Sequence, residues 1–188
     1  MQALIENSII LIGQISTGKS TLAKRLSDEF CIPKASFGAY LLHYCELMAI
    51  PDHRRKDLQN LGHEMILKNP ISFLNNVIEY SVKGKQQVIF EGVRHHAILK
   101  GITDLSSKII SIYIDATYEQ RLTRYLNRDK SIDNYKTEND FITAANHPVE
   151  SEVTSLKEKC SIIIQSSNSA DEDFNKLKAY IGPMLVAL

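Results

Sequence analysis

Gly13-Gln14-Ile15-Ser16-Thr17-Gly18-Lys19-Ser20 sets two glycines, a lysine and a hydroxyl at the spacing G-x-x-x-x-G-K-S, directly after the apolar run Ile9-Ile10-Leu11-Ile12. Residues of these types, between a strand and a helix, can hold a phosphate chain. Successive backbone N–H groups of such a loop converge on phosphate oxygens, and the dipole of the helix behind them favours the negative charge. Gly13 and Gly18 allow backbone angles and a close phosphate approach that a Cβ would obstruct. Lys19 is expected to reach the β- and γ-phosphates and Ser20 to ligate Mg²⁺. Ser16, Thr17 and Thr21 complete the expected nucleotide-binding loop, and ATP with Mg²⁺ is the expected ligand. Without nucleotide, Lys19 is expected to face solvent.

Phosphoryl transfer also needs metal-bridged phosphates, a neutralising cation cluster and a positioned acceptor. Glu91 ends the apolar run Val88-Ile89-Phe90, and such a strand-end carboxylate lies near the phosphate loop in an open α/β sheet. It is a candidate to hold a Mg²⁺-bound water or to orient an acceptor hydroxyl. Arg94 follows in Glu91-Gly92-Val93-Arg94, where a guanidinium can grip a phosphate with two parallel hydrogen bonds. Arg121, Arg124 and Arg128 recur on one helix face. Such a stripe suits a short lid that closes over the transferring phosphate, with Arg121 and Arg124 as the catalytic pair. In the polar cluster around residues 54–62, Arg55 is a candidate for an acceptor phosphate and Gln59 for a base edge. His95 and His96 lack metal-ligand spacing and read as polar surface, while His43 and His63 read as structural.

These residues need a frame. Strands are expected at residues 8–12, 34–37, 87–91, 108–114 and 161–165, and helices at 19–30, 38–49, 55–68, 70–83, 118–129, 140–146, 148–159 and 171–185. Residues 130–139 carry no periodicity and read as a mobile segment. The alternation implies an α/β fold, a three-layer α/β/α sandwich with a five-stranded, mostly parallel sheet. Residues 1–188 suit a single P-loop domain with a short helical lid around 118–140 and an acceptor-binding helical region around 38–84.

Lys plus Arg and Asp plus Glu each total 22, so the formal charge is zero. No global basic field exists to hold long nucleic acid. The three cysteines show no C-x-x-C spacing, which speaks against a disulfide framework or zinc site and suits a reducing cytoplasm. No signal peptide or membrane span is expected. A small, nucleotide-like substrate and a monomeric or homodimeric state complete the expectation.

With these residues in place, the chain resembles the nucleotide-kinase branch of P-loop proteins, with the P-loop NTPase fold. Ser36-Phe37-Gly38-Ala39-Tyr40-Leu41 looks like the acceptor-binding segment of nucleoside monophosphate kinases, which implies acceptor roles for Gly38 and Tyr40. Arg55, Leu58, Gln59 and Gly62 are similar to the R-x-x-L-Q-x-x-G element of phage-type deoxynucleoside monophosphate kinases. Glu91-Gly92-Val93-Arg94 looks like their D-G-x-x-R or D-G-x-R stretch, with Glu in place of the commoner Asp. Residues 112–116 followed by the three arginines resemble their fourth strand and lid helix. Residues 161–165 followed by Asn168 are similar to the last strand and adenine-side loop of these kinases and of dephospho-coenzyme A kinases. Ala39 and Leu42 stand where adenylate kinases usually carry Asp and Arg, so one acceptor-phosphate contact is missing or is supplied by Arg55. The resemblance implies transfer of phosphate from ATP to a nucleoside or deoxynucleoside monophosphate. Two alternatives stay open: phosphorylation of a hydroxyl on dephospho-coenzyme A or another metabolite with Glu91 as general base, and a nucleotide-dependent switch without an acceptor.

Overall fold

A strand that is apolar on both faces must lie inside a sheet covered on both sides, and β1 (Ile5–Ile12) is such a strand. In the computed structural model, which describes residues 5–50, 55–127 and 137–186, β1 occupies the centre of a five-stranded sheet. The chain continues through α1 (Lys19–Phe30), β2 (Lys34–Ser36), α2 (Phe37–Leu47), α3 (Arg55–Lys68), α4 (Pro70–Val82) and β3 (Gln87–Glu91). It then forms α5 (His96–Leu105), β4 (Ser106–Asp115), α6 (Tyr118–Leu126), α7 (Glu138–Ala145) and α8 (Pro148–Ser155). A 3-10 turn (Leu156–Lys159), β5 (Ile162–Gln165) and α9 (Ala170–Val186) follow. The strand order is β2-β3-β1-β4-β5 and every pairing is parallel.

Successive side chains of a strand point to opposite faces, and this parity sorts the core into two layers. Ile9, Leu11, Ile89, Ile112 and Ile114 pack under α1 and α9 through Leu22, Leu26, Leu177 and Ile181. Ile10, Ile12, Val88, Phe90 and Tyr113 face the other way, against α2, α4, α5 and α8. A third cluster, Ile15, Tyr125, Phe141 and Ala144, joins the loop after β1 to α6 and α7. Among the described residues no helix is long and apolar enough to cross a membrane.

The expected α/β sandwich is present, and its sheet is parallel throughout rather than mostly so. Two local features differ. Helix α5 is an addition to the expected elements: Ile98 and Ile102 bury one turn apart against α4, but polar His95 and His96 precede this short apolar stripe and mask it. Helix α7 begins at Glu138, inside the segment expected to lack structure, because Thr137 and Asp140 form a reciprocal capping box at its start. Residues 130–136 of that segment lie outside the described residues, as does Arg128.

Phe90 is fully buried between β1 and β2. Phe90→Ala is expected to lower the unfolding free energy by about 3–5 kcal/mol, the usual cost of emptying a core aromatic site, measured by urea denaturation.

Candidate functional site

The sheet register delivers the site. Leu11 of β1 pairs with Glu91 of β3, which in turn pairs with Ser36 of β2. Three parallel strands therefore end together, just before Gly13, and their carboxyl edge is where open α/β sheets bind ligands. Gly13 has φ 151° and Gly18 φ 95°. A Cβ on Gly13 would meet the Ile114 carbonyl oxygen at 2.4 Å, so only glycine lets the loop pass over β4. Helix α1 starts at Gly18 with no side-chain cap and no acid in its first turn. Its amino-terminal N–H groups are thus left for an anion. Ser16, at φ 61°, has a buried Oγ with no hydrogen-bond partner.

The side chains around this nest are tied down. Lys19, expected from sequence to face solvent, is instead buried. It is 7% exposed, and its Nζ donates to the Gln14 carbonyl at 2.5 Å and to Thr17 Oγ1 at 3.2 Å. The ammonium satisfies itself on the loop's own oxygens and lies at the wall of the nest. Ser20 Oγ donates to Glu91 Oε1 at 2.6 Å, so the two expected metal-site residues meet although 71 positions separate them. Arg124 donates to the Thr17 carbonyl at 3.0 Å, to Ser166 Oγ at 3.0 Å and to the Ser167 carbonyl at 2.5 Å. It ties the loop to the β5–α9 connection. Asn168 stands in that connection and accepts from Gln120 at 3.0 Å.

A cavity of about 660 Å³ extends from this loop toward α3. Ser16 to Thr21, Gly38, Gln59, Glu91, Arg94, Arg124 and Asn168 all line it. Arg121 and Tyr40 do not. Arg121 is 8% exposed, its guanidinium 5.8 Å from the Phe141 ring with Nε and Nη1 unbonded. Tyr40 packs against Phe73 and Tyr80 in the core. Arg55 opens α3, and its side chain lies outside the described residues.

The residue not anticipated from sequence is Glu150, in the first turn of α8 and 1% exposed. Its Oε2 accepts from the Ile15 amide at 2.9 Å, and its Oε1 accepts from Arg94 Nη1 and from Gln59 Nε2 at 3.3 Å. Burial works against its charge, but Arg94, Lys19 and the Ile15 amide outweigh that and hold the carboxyl below its ordinary value. No local signal marks Glu150, since 135 positions separate it from Ile15. The histidines also differ from expectation. His95 is not surface: it is buried, bonded through Nδ1 to Glu152 at 2.6 Å, and stacked on His63 with ring centroids 5.2 Å apart. Both rings line the cavity.

A parallel sheet ordered in this way, with a glycine-bounded anion nest between its central strand and α1, defines the P-loop class of nucleotide-binding proteins. The chain belongs to the AAA domain family, whose model matches residues 9–143. No curated protein matches it. Among solved structures, a shikimate kinase from Bacteroides thetaiotaomicron superposes with TM-score 0.58 at 13% identity, covering 93% of this chain and 98% of that one. A shikimate kinase from Aquifex aeolicus gives 0.56 at 16% identity, covering 95% and 98%. A sugar kinase from Janibacter sp. gives 0.57 at 12% identity, covering 95% of each chain. At these identities the likeness establishes the fold, that of P-loop kinases.

Burial lowers the pKa of His95 from its ordinary 6.5, against the opposing pull of Glu152. A folded-state pKa below the unfolded one means that unfolding takes up a proton as pH drops under about 6.5. The stability tied to neutral His95 is therefore complete above that pH and is lost as pH falls through it. Between pH 7 and 5.5 the protein is expected to lose more thermal stability than its His95→Gln variant, measured by melting curves at matched ionic strength.

Proposed function

We propose that the chain is a Mg²⁺-ATP-dependent phosphotransferase acting on a small molecule held between the P-loop and α3. The observation that carries this reading is one cavity lined both by Lys19 and the Ser20–Glu91 pair and by Gln59, His63 and Arg94. A donor and an acceptor can then meet inside a single walled space, which turns an encounter into an oriented, water-poor approach.

The residues fit the triphosphate that the P-loop implies. The uncapped start of α1 and the unpartnered Ser16 Oγ supply donors for phosphate oxygens. Ser20 and Glu91 are the residues that would hold Mg²⁺, directly or through water. Bound there, the metal ion and triphosphate supply the phosphoryl group and neutralise part of its charge. To reach the phosphates Lys19 would exchange its bonds to the loop's own oxygens for phosphate oxygens. Arg124 holds the loop's shape from behind Gly18, with Nη1 3.8 Å from where a Gly18 Cβ would stand. Arg121, the expected second member of the catalytic pair, is buried and does not line the cavity.

The resemblance to nucleotide kinases points to a nucleoside or deoxynucleoside monophosphate as acceptor, with Gln59 and Arg94 as its contacts. One observation favours the second reading, an acceptor hydroxyl: Arg94 is already paired with the buried Glu150. Likeness of fold to proteins named for shikimate and for a sugar supports a small polar acceptor as well. In that reading the Glu91 carboxylate takes the hydroxyl proton.

An ADP-release screen against nucleosides, sugars, cyclic polyols, nucleoside monophosphates and dephospho-coenzyme A tests the reading. Acceptor-stimulated turnover is expected and should vanish in Lys19→Met, whereas an unstimulated trickle of hydrolysis would replace the phosphotransferase with a nucleotide switch. Glu91→Gln is expected to lower kcat by about 10²–10⁴-fold on a hydroxyl acceptor even at saturating Mg²⁺. A loss confined to Mg²⁺ affinity would make Glu91 a metal residue alone.

A further inference from the structure

Arg94 and Gln59 line the cavity, and each sets one nitrogen on the same buried carboxylate. Arg94 Nη1 is ion-paired to Glu150 Oε1, with Arg94 21% and Glu150 1% exposed at the side chain. Gln59 Nε2 points to the same oxygen at 3.3 Å and to the Ala144 carbonyl at 3.5 Å. Gln59 Oε1, on a side chain only 7% exposed, has no hydrogen-bond partner, and neither has His63 Nδ1 one turn further along α3. Gln59 and His63 both line the cavity. An amide oxygen can only accept, so what completes this wall must bring a hydrogen-bond donor. A fully ionised phosphate brings none, and it would meet the Glu150 charge behind Arg94.

We infer that Glu150 is a specificity-determining residue: it neutralises Arg94 and orients the Gln59 amide so that the cavity selects an uncharged, hydroxyl-bearing acceptor over a phosphate monoester. The inference deepens the phosphotransferase reading and rests on it. Glu150 touches neither reacting atom; it acts through Arg94, through Gln59 and through the Ile15 amide, which also makes it a positioning residue for the P-loop. A buried charge keeps a partner in place because removing either one strands the other in a poor solvent. Arg94 therefore offers an arriving anion less net positive charge while Glu150 stays ionised.

Glu150→Gln keeps the size of the side chain and an oxygen for the Ile15 amide, and removes the charge that occupies Arg94. With the P-loop filled by a non-hydrolysable ATP analogue and Mg²⁺, calorimetric titration with inorganic phosphate and with AMP reads the acceptor end alone. The variant is expected to bind both probes at least about tenfold more tightly than the unaltered protein, as one released charge-assisted contact would give. The gain should disappear in the Glu150→Gln, Arg94→Met double variant, which separates Arg94 from Lys34, another cation lining the cavity. Arg94→Met alone should leave phosphate and AMP affinity unchanged, and this variant keeps the test alive if Glu150→Gln folds poorly. Equal anion affinity in Glu150→Gln and the unaltered protein, or a tenfold loss of AMP affinity in Arg94→Met, would overturn the assignment. Binding of the ATP analogue is read separately, and its absence would overturn the phosphotransferase reading along with this one.

Discussion

The amino end of α1 has to be answered by negative charge, and most of the site's architecture follows from that demand. The helix begins at Gly18 without a side-chain cap or a first-turn acid, so its N–H groups and the dipole behind them stay uncompensated. The groups that face away from the nest are each satisfied from a different element. Arg124 of α6 takes the Thr17 carbonyl, Glu150 of α8 takes the Ile15 amide, and Lys19 folds onto the Gln14 carbonyl. The loop's outward polar groups are thereby fixed, and the Ser16 hydroxyl is left unbonded. A nest held from outside in this way needs little rearrangement to receive phosphate, which is the condition under which oriented dipoles help most.

Parallel pairing then decides what stands beside the nest. Because β1, β2 and β3 run the same way and end in register, Ser36, Glu91 and Leu11 share one row. Glu91 reaches Ser20 from the neighbouring strand, and the chain after Ser36 turns at once into α2. An antiparallel neighbour would have sent its carboxyl end, and Glu91 with it, to the opposite edge of the sheet. The cavity is consequently a product of strand direction, with α2 and α3 supplying its far wall.

Lys19, Arg94 and Arg124 all line the cavity, and the buried Glu150 is ion-paired with Arg94 and also feels the charge of Lys19. A buried ion pair of this kind contributes little net stability once both desolvation costs are counted. Its effect is geometric: it holds Arg94, Gln59 and Ile15, from three separate segments, around one carboxyl group. The stacked His63–His95 pair, anchored through Glu152 two residues after Glu150 on α8, adds a second cross-link between α3, the β3–α5 connection and α8.

The strands, most of the helices and the phosphate loop were legible in the amino-acid order because each is written locally. Val88-Ile89-Phe90 needs burial on both faces, Pro70 and Gly84 bracket α4, and the G-x-x-x-x-G-K-S spacing carries its own backbone requirements. Even the Ser20–Glu91 meeting followed from a rule about strand ends. Helix α5 and the first turn of α7 escaped because a short stripe behind two histidines and a capping box after a polar run give weak periodicity. Glu150, the inward position of Lys19 and the burial of Arg121 and His95 could not be read at all. A glutamate two residues after a proline looks like an ordinary helix-start acid, and nothing near it in the chain names Ile15, Arg94 or Gln59 as its partners. Sequence alone determined which loop has the residue types, spacing and backbone freedom that suit a phosphate chain. Only the tertiary structure decided which cations stay available to a ligand, because the compensation of a buried charge depends on distances between segments that the order of residues does not encode.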